Sequence, residues 1–514
     1  MTRQRLFSAL LLLIFLTGCA AESDLWGNLP TPTAPAAAPL TTALLPTASY
    51  TPGPTPLIVL PLPGTPTPGA LATLPPVNTA GPMLVILSSG GDTLNIIARR
   101  AGVNPVEIIS DVVLPAPDQL IPPGTLLLMP NRLPPDIGPE TILLPDSEFV
   151  YSASALDFDT AQYVQQSNGY LNQYREYLMS KAWVSGAAAV QNIADDNSLN
   201  PRLLLAIIEY ESRWVRGSPE NFAQSDYPLG YVDYHNRGLF RQMMWAAGQL
   251  SLGYYGWRAG TLTEITFLDG SRLRLNPKLN AASVGLMYFF AQLHERQRWE
   301  EAMQQFPAIY NEMFGDPFAR AAALGPLLPA GLSQPPLDLP FAPGAIWSFS
   351  GGPHSAWEHE GALAALDFAP ASTLGGCVDS DAWVVAPAPG IVVRVDDGVV
   401  VLDLDGDGRE QTGWNLLFLH IANRDKVALG ARLQKDDHIG HPSCEGGVAT
   451  GTHLHFARKF NGEWMLADGP LAFNLGGWVS QSGAEPYKGF LRNGEKTIEA
   501  CACGSFETRI SRPK

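Results

Sequence analysis

The chain has 514 residues, with 49 acidic side chains against 33 basic ones and a formal net charge of −16. That balance excludes the broad basic surface needed to neutralise phosphates, so nucleic acid is not expected as a partner. The length calls for several domains, and 45 prolines and 49 glycines with only 16% charged residues fit exported β-domains joined by stiff linkers.

The first element is a leader. Arg3 and Arg5 precede an apolar run from Leu6 to Leu16, the layout of a secretory signal. About eleven apolar residues are too few to span a bilayer, which takes about twenty. Leu16-Thr17-Gly18-Cys19 resembles a bacterial lipobox. The resemblance implies a signal peptide over 1–18, cleavage before Cys19 and lipidation of its thiol. The protein is then an extracytoplasmic lipoprotein, held on the cell-envelope membrane by its anchor. From 19 to 82 the chain is rich in Pro, Thr and Ala, as in Thr51-Pro52-Gly53-Pro54-Thr55-Pro56. Such a stretch cannot bury a core and is expected to be an extended tether.

Residues 83–131 form a small module. Val85-Ile86-Leu87 reads as a strand, and Gly91-Asp92-Thr93-Leu94 as a turn with a helix N-cap. Leu94, Ile97 and Ala98 have helical spacing, Gly102 ends that helix, and Asn104-Pro105 starts another. Leu120 to Pro130 closes with a strand. The order, with Gly91-Asp92-Thr93-Leu94, Gly102-Val103, Ile108 and Gly124, resembles a LysM module. That implies a βααβ fold binding N-acetylglucosamine-containing glycans. Residues 111–118 depart from the pattern by being apolar and proline-rich.

Residues 148–330 turn helical and aromatic. Asn200 is an N-cap candidate with Pro201 at the first helical position. At about 100° per residue, Leu204, Ile207, Ile208, Glu211 and Val215 share one face, and Glu209 lies away from it. A carboxylate on an apolar face is costly unless paired or functional. The segment Asn200 to Ser212, with Gly238-Leu239-Phe240-Arg241-Gln242 and Asn280-Ala281-Ala282-Ser283, resembles lytic transglycosylase and goose-type lysozyme domains. The resemblance implies an all-α domain with Glu211 as a glycosidic general acid. The competing reading ties Glu211 to an arginine such as Arg241. The stretch Tyr254 to Phe267 interrupts the pattern.

After a Pro-rich break over 325–343, residues 335–490 carry the densest chemistry. Thr452-His453-Leu454-His455-Phe456 has strand-forming flanks, so both imidazoles share one face. Upstream lie His354, Asp367, thirteen residues on, and the strand-like Leu416-Leu417-Phe418-Leu419-His420. Catalytic zinc takes three N/O ligands and leaves one position open. His354, Asp367 and one histidine of the pair make such a set. Gly351-Gly352-Pro353-His354, Leu366-Asp367-Phe368, Leu419-His420 and His453-Leu454-His455 resemble the lysostaphin-type metallopeptidases, within them the beta-lytic and staphylolysin branch. The more common His-x-Gly-x-Asp motif is absent, since Leu363 stands where its histidine would fall. The resemblance implies Zn2+ held by His354, Asp367 and His455, His453 as general base, and His420 orienting water or stabilising an oxyanion. His359 competes as a ligand.

With Cys19 lipidated, Cys377, Cys444, Cys501 and Cys503 remain, and two disulfides have three connectivities. Cys377–Cys444 is favoured, both lying in the peptidase-like domain; Cys501 and Cys503 are left with a strained bridge or a metal or redox role. Asp403-Leu404-Asp405-Gly406-Asp407-Gly408 imitates a calcium loop, but position 12 is Trp414 rather than Glu, and a charged turn is the favoured reading. Residues 491–514 are expected as a tail. The expected fold class is multidomain α+β: a βααβ LysM-like module, an all-α lysozyme-like domain and a mostly antiparallel β zinc peptidase domain. The expected function is amide hydrolysis in the peptide part of peptidoglycan. The alternatives are glycan cleavage at Glu211 and a non-catalytic wall-binding scaffold.

Overall fold

The computed structural model describes residues 81–513 except 180, 358, 359, 373 and 374. The signal peptide, Cys19, almost all of the tether and His359 lie outside the described residues. The chain divides into units 1–74 and 75–514, and the described residues fall in the second. Among them no helix is long and apolar enough to cross a membrane.

The module opens with Met83–Leu87, paired antiparallel to Leu126–Pro130. Between them runs the helix Leu94–Ala101, capped by the Thr93 side chain and closed by Gly102 at φ +70°, a left-handed turn that glycine adopts without strain. The second helix expected here is a single 3-10 turn, Pro105–Glu107. Pro115, Pro117, Pro122 and Pro123 lack amide hydrogens and cannot extend it. Arg100 is buried, pairs with Asp92 at 2.7 Å and donates to the Trp257 carbonyl. That contact ties the module to the helical region.

The helical region is built around Pro201–Ser212, Leu239–Arg258 and Ala281–Leu293. Asn200 caps the first through Arg202 N–H, with Pro201 in the first turn. This helix is buried on almost every side, Glu209 included. Glu209 is tied to Arg216 at 3.0 Å rather than turned to water. The region is not all-α. Arg175–Leu178 pairs with Ala182–Ser185, and Glu264–Thr266 with Arg272–Arg274. In the second hairpin, β-branched Ile265 and Thr266 lead into an Asp269-Gly270 turn, which overrides the helical pattern.

The third part is a nine-stranded antiparallel sheet. Its centre runs Val399–Asp403, Trp414–Leu419, Leu454–Phe460, Leu363–Pro370, Ile346–Ser355. These strands read as continuous apolar runs because both faces are covered. Val400, Leu402, Leu416, Phe418 and Phe456 point into one core. Val399, Val401, Leu417, Leu419 and Ala457 share a second core with the helices. The helical region is therefore packed on the sheet itself. Trp464 is buried in the joint; its indole N–H donates to the Asn197 carbonyl, and its backbone N–H to the Tyr255 hydroxyl. Arg258 and Arg394 cross the same joint to Glu463 and Asp196.

The residues after 490 are not a tail. Gly489–Asn493 and Lys496–Glu499 form a hairpin, and Arg509–Ser511 becomes the edge partner of Ile346–Ser355. Leu491 and Ile498 are the buried side chains of two strands too short to stand out in the sequence.

Candidate metal and catalytic site

Strand register builds the site. His455 lies opposite Asp367 on one side and Leu419 on the other, so His455 and Asp367 share a face and Leu419 delivers His420 to the adjoining strand end. The strand Ile346–Ser355 is irregular at three places between Phe349 and Ser355. Bulges re-aim side chains, and here they bring His354 over Asp367. Gly351 is required at this point: a Cβ on it would stand 2.5 Å from Asp367 Oδ2.

The three converge in a buried pocket, with ligand-type atoms within 4.8 Å of one another. His354 Nε2 is 3.2 Å from Asp367 Oδ1 and 3.0 Å from His455 Nδ1. His455 Nδ1 is 3.4 Å from the same oxygen. The outer nitrogens meet backbone carbonyls. His354 Nδ1 donates to Gly352 O at 2.8 Å and His455 Nε2 to Ala356 O at 3.0 Å. A carbonyl only accepts, so each ring carries its hydrogen on the outer nitrogen and turns a lone pair inward. Asp367 Oδ1 lies buried between them, 3.2, 3.4 and 3.7 Å from nitrogens of His354, His455 and His453, and among the described residues no donor makes a well-directed hydrogen bond to it. Two lone pairs and an anionic oxygen thus face one another, an arrangement that takes a cation. A proton competes for the same place. Burial works against charge on His354, yet Asp367 outweighs it and holds its pKa above the ordinary value. Burial likewise opposes ionisation of Asp367, but His354 and His455 keep it well below the usual carboxylate range. Burial pushes His455 down.

The two remaining histidines stand beside this set. His453 Nε2 is 3.7 Å from Asp367 Oδ1, and its Nδ1 donates to Gly451 O at 2.7 Å. His420 sits at φ +64°, with Nδ1 donating to Glu445 O at 2.9 Å and its ring centre 4.5 Å from that of His453. Burial, then the neighbouring His453, lowers its pKa to about 3. All four imidazoles therefore have their tautomer fixed by a main-chain carbonyl. They line a groove of 710 Å³ whose walls include Gly446 to Thr452, Trp357 and Tyr487.

Cys377 and Cys444 are bonded, and so are Cys501 and Cys503. The first bridge leads into the glycine-rich wall; the second lies on the groove itself. Tyr487 has no counterpart in the sequence reading. Its ring stacks on His354 at 4.1 Å and its carbonyl accepts from Gly352 N–H. The only signal was an aromatic in Pro486-Tyr487-Lys488-Gly489, which reads as an ordinary turn.

Glu211 does not join this site. It is buried on the helix Pro201–Ser212, 2.8 Å from His294 Nε2 and 3.7 Å from Arg298. The arginine partner expected, Arg241, instead donates to the His235 carbonyl. Asp403, Asp405 and Asp407 also come together, in the turn before Trp414–Leu419.

Two imidazoles and a carboxylate around a shared point, with spare imidazoles on an open groove, are the kind of donor set and surroundings that suit a catalytic zinc ion. Residues 142–326 match the family model described as the LasA, N-terminal domain. Protease LasA from two strains of Pseudomonas aeruginosa is 24% identical over 360 residues and 25% identical over 361, covering 65% of this chain and 78% of the relative. Among solved structures, the M23 metalloprotease pseudoalterin from the deep sea is 21% identical, covering 33% of this chain and 96% of that one, with a TM-score of 0.26. The chain is thus similar to a protease over 65% of its length.

Proposed function

We propose that this chain is a zinc endopeptidase that hydrolyses amide bonds in the peptide part of peptidoglycan, working outside the membrane from a lipid anchor on Cys19. The observation that carries the reading is the set of inward lone pairs on His354 and His455 around the buried oxygen of Asp367. These three would hold the metal. Zinc bound there supplies Lewis acidity, polarising the amide carbonyl and acidifying water.

The other residues divide the remaining work. His453 has its Nδ1 hydrogen committed to Gly451 O, so Nε2 is free to take a proton from the attacking water. The C–O bond forms, the C–N bond breaks, and His453 returns the proton to the departing amine. His420 is neutral, with its hydrogen spent on Glu445 O. Its Nε2 lone pair suits orientation of water and does not donate to an oxyanion. Tyr487 and the 446–452 wall confine an extended peptide in the groove.

The flanking parts fit a wall substrate. Residues 83–131 serve as a LysM-like glycan-binding module, and 148–330 as a lysozyme-like helical domain that supports the peptidase sheet, 335–490. Glycan cleavage at Glu211 is disfavoured by its pairing with His294 and Arg298, the arrangement of a buried structural carboxylate. A wall-binding scaffold without turnover leaves the ordered tautomers of four histidines without a purpose. The test is product analysis on purified sacculi: new amino termini are expected, without new reducing ends. His453→Gln is expected to keep its zinc and lose at least 100-fold in turnover. Reducing ends from the wild type, or full turnover by that variant, overturns the reading.

A further inference from the structure

The groove carries a charge pattern opposite to that of the chain. The whole protein has 49 acidic side chains and 33 basic ones. Among the described residues that line the groove, the only carboxylate is Asp367, whose charge faces the metal position, while Arg509 and Lys488 bring two cations. Neither has an ion-pair partner among the described residues. Glu507 and Glu485, the carboxylates nearest to them in sequence, are not on the groove. Strand register fixes where Arg509 stands. It lies opposite Ser348, and Ser348 opposite Ala369. Their neighbours Ile510, Trp347 and Phe368 are buried in the core on one side of the sheet. Arg509, Ser348 and Ala369 alternate with these and so face the other side, the one that carries Asp367 and His455. Ala369 follows Asp367 on the strand Leu363–Pro370, one alternation further on. With about 4.8 Å between strands and about 3.4 Å per residue, the Arg509 backbone lies about 12 Å from that of Asp367. Ser348 and Ala369 are small and leave the floor between them open.

The guanidinium of Arg509 stands over the Phe506 ring, its central carbon 4.9 Å from the ring centroid. A ring covers the flat face of a guanidinium and leaves the N–H edge free, the edge that holds a carboxylate by two parallel hydrogen bonds. Lys488 follows Tyr487 on the groove wall. Its backbone packs against Gly352, where a Cβ would stand 2.7 Å from the Lys488 carbonyl carbon, close to the ligand His354. We propose that the groove selects acidic peptides: Arg509 holds a carboxylate about three residues of extended chain from the scissile bond, and Lys488 adds a second positive charge beside the metal position. This selection rests on the endopeptidase reading above and narrows it, from amide substrates at large to peptides that carry a free carboxylate. A cationic groove also draws such substrates in against the repulsion of a chain with net charge −16.

The test uses the zinc-loaded full chain and short oligoglycine peptides, acetylated and amidated so that their ends carry no charge. One set holds a single Glu, moved one residue at a time, and the other holds Gln at the same places. The wild type supplies kcat/KM, and calorimetry on the His453→Gln chain supplies Kd without turnover. At the best position Glu is expected to bind about tenfold more tightly than Gln at low salt, and less than about twofold more tightly at about 0.5 M salt, because exposed charges are screened. Arg509→Gln and Lys488→Gln change exposed side chains and spare the core. Each, added to His453→Gln, is expected to weaken the Glu peptide about threefold and to leave the Gln peptide unchanged. Equal binding of Glu and Gln at every position, or a Glu preference that survives both substitutions, overturns the inference, even if the wild type cuts both peptides. A Glu preference in binding with no cutting of either peptide by the wild type supports the acidic subsite and removes the endopeptidase reading instead.

Discussion

His420 offers a worked test of the site's electrostatics. It is buried, and burial with the nearby His453 takes its pKa from 6.5 to about 3. The folded chain thus keeps the ring neutral while the unfolded chain protonates it below about pH 6.5. A depressed histidine pKa therefore removes stability as pH falls from about 6.5 towards 3, since the unfolded state binds more protons in that window. One pH unit corresponds to about 1.4 kcal/mol, so lowering the pH from 6.5 to 5 costs about 2 kcal/mol through this side chain. His420→Asn removes the titration, and asparagine tolerates the φ of +64° found there. The assay is urea unfolding of both proteins in chelator, with disulfides intact, at pH 7.5, 6.5, 5.5 and 5.0. The variant starts lower from lost packing, but the wild type should lose about 2 kcal/mol more across the series. Parallel losses would refute the claim that His420 is held neutral.

Three further outcomes follow from the joint, the bridge and the helical carboxylate. Trp464→Ala should destabilise the chain by about 3–5 kcal/mol in thermal or urea melts, because helices and sheet share that core; a loss below about 1 kcal/mol would mean they fold independently. The Cys377–Cys444 bridge spans 67 residues, and chain entropy alone makes it worth about 4 kcal/mol. Mild reduction should therefore lower the melting temperature, and turnover with it, while an unchanged melt contradicts that value. Glu211→Gln should leave kcat/KM on sacculi within about twofold while costing about 1–3 kcal/mol of stability through its partner His294; lost turnover in a variant of near-normal stability would make Glu211 catalytic after all.

Much of the site was readable because strands convert alternation into a face. His453-Leu454-His455 and Leu366-Asp367-Phe368 put polar groups between apolar neighbours, and the register brings His455 opposite Asp367. His354 was a candidate by residue type and took its role as a ligand from the resemblance; periodicity alone does not place it, since bulges break the alternation between Phe349 and Ser355. The second helix of the first module failed for a local reason, proline, and the hairpin Glu264–Thr266 with Arg272–Arg274 for another, an Asp269-Gly270 turn within a short segment. Tyr487 and Arg509–Ser511 act through long-range pairing, which no window of sequence records. The joint was also hidden. Val399, Val401 and Leu417 reveal burial but not what covers them, and only the structure shows a helical region sharing their core.

The account rests most directly on a zinc titration of the chelator-stripped protein, followed by calorimetry and by release of amino groups from sacculi. One zinc per chain is predicted, with turnover restored in step with occupancy, and both lost in His455→Ala. Turnover that persists without metal, or a His455→Ala chain that binds zinc as tightly as the wild type, would contradict it.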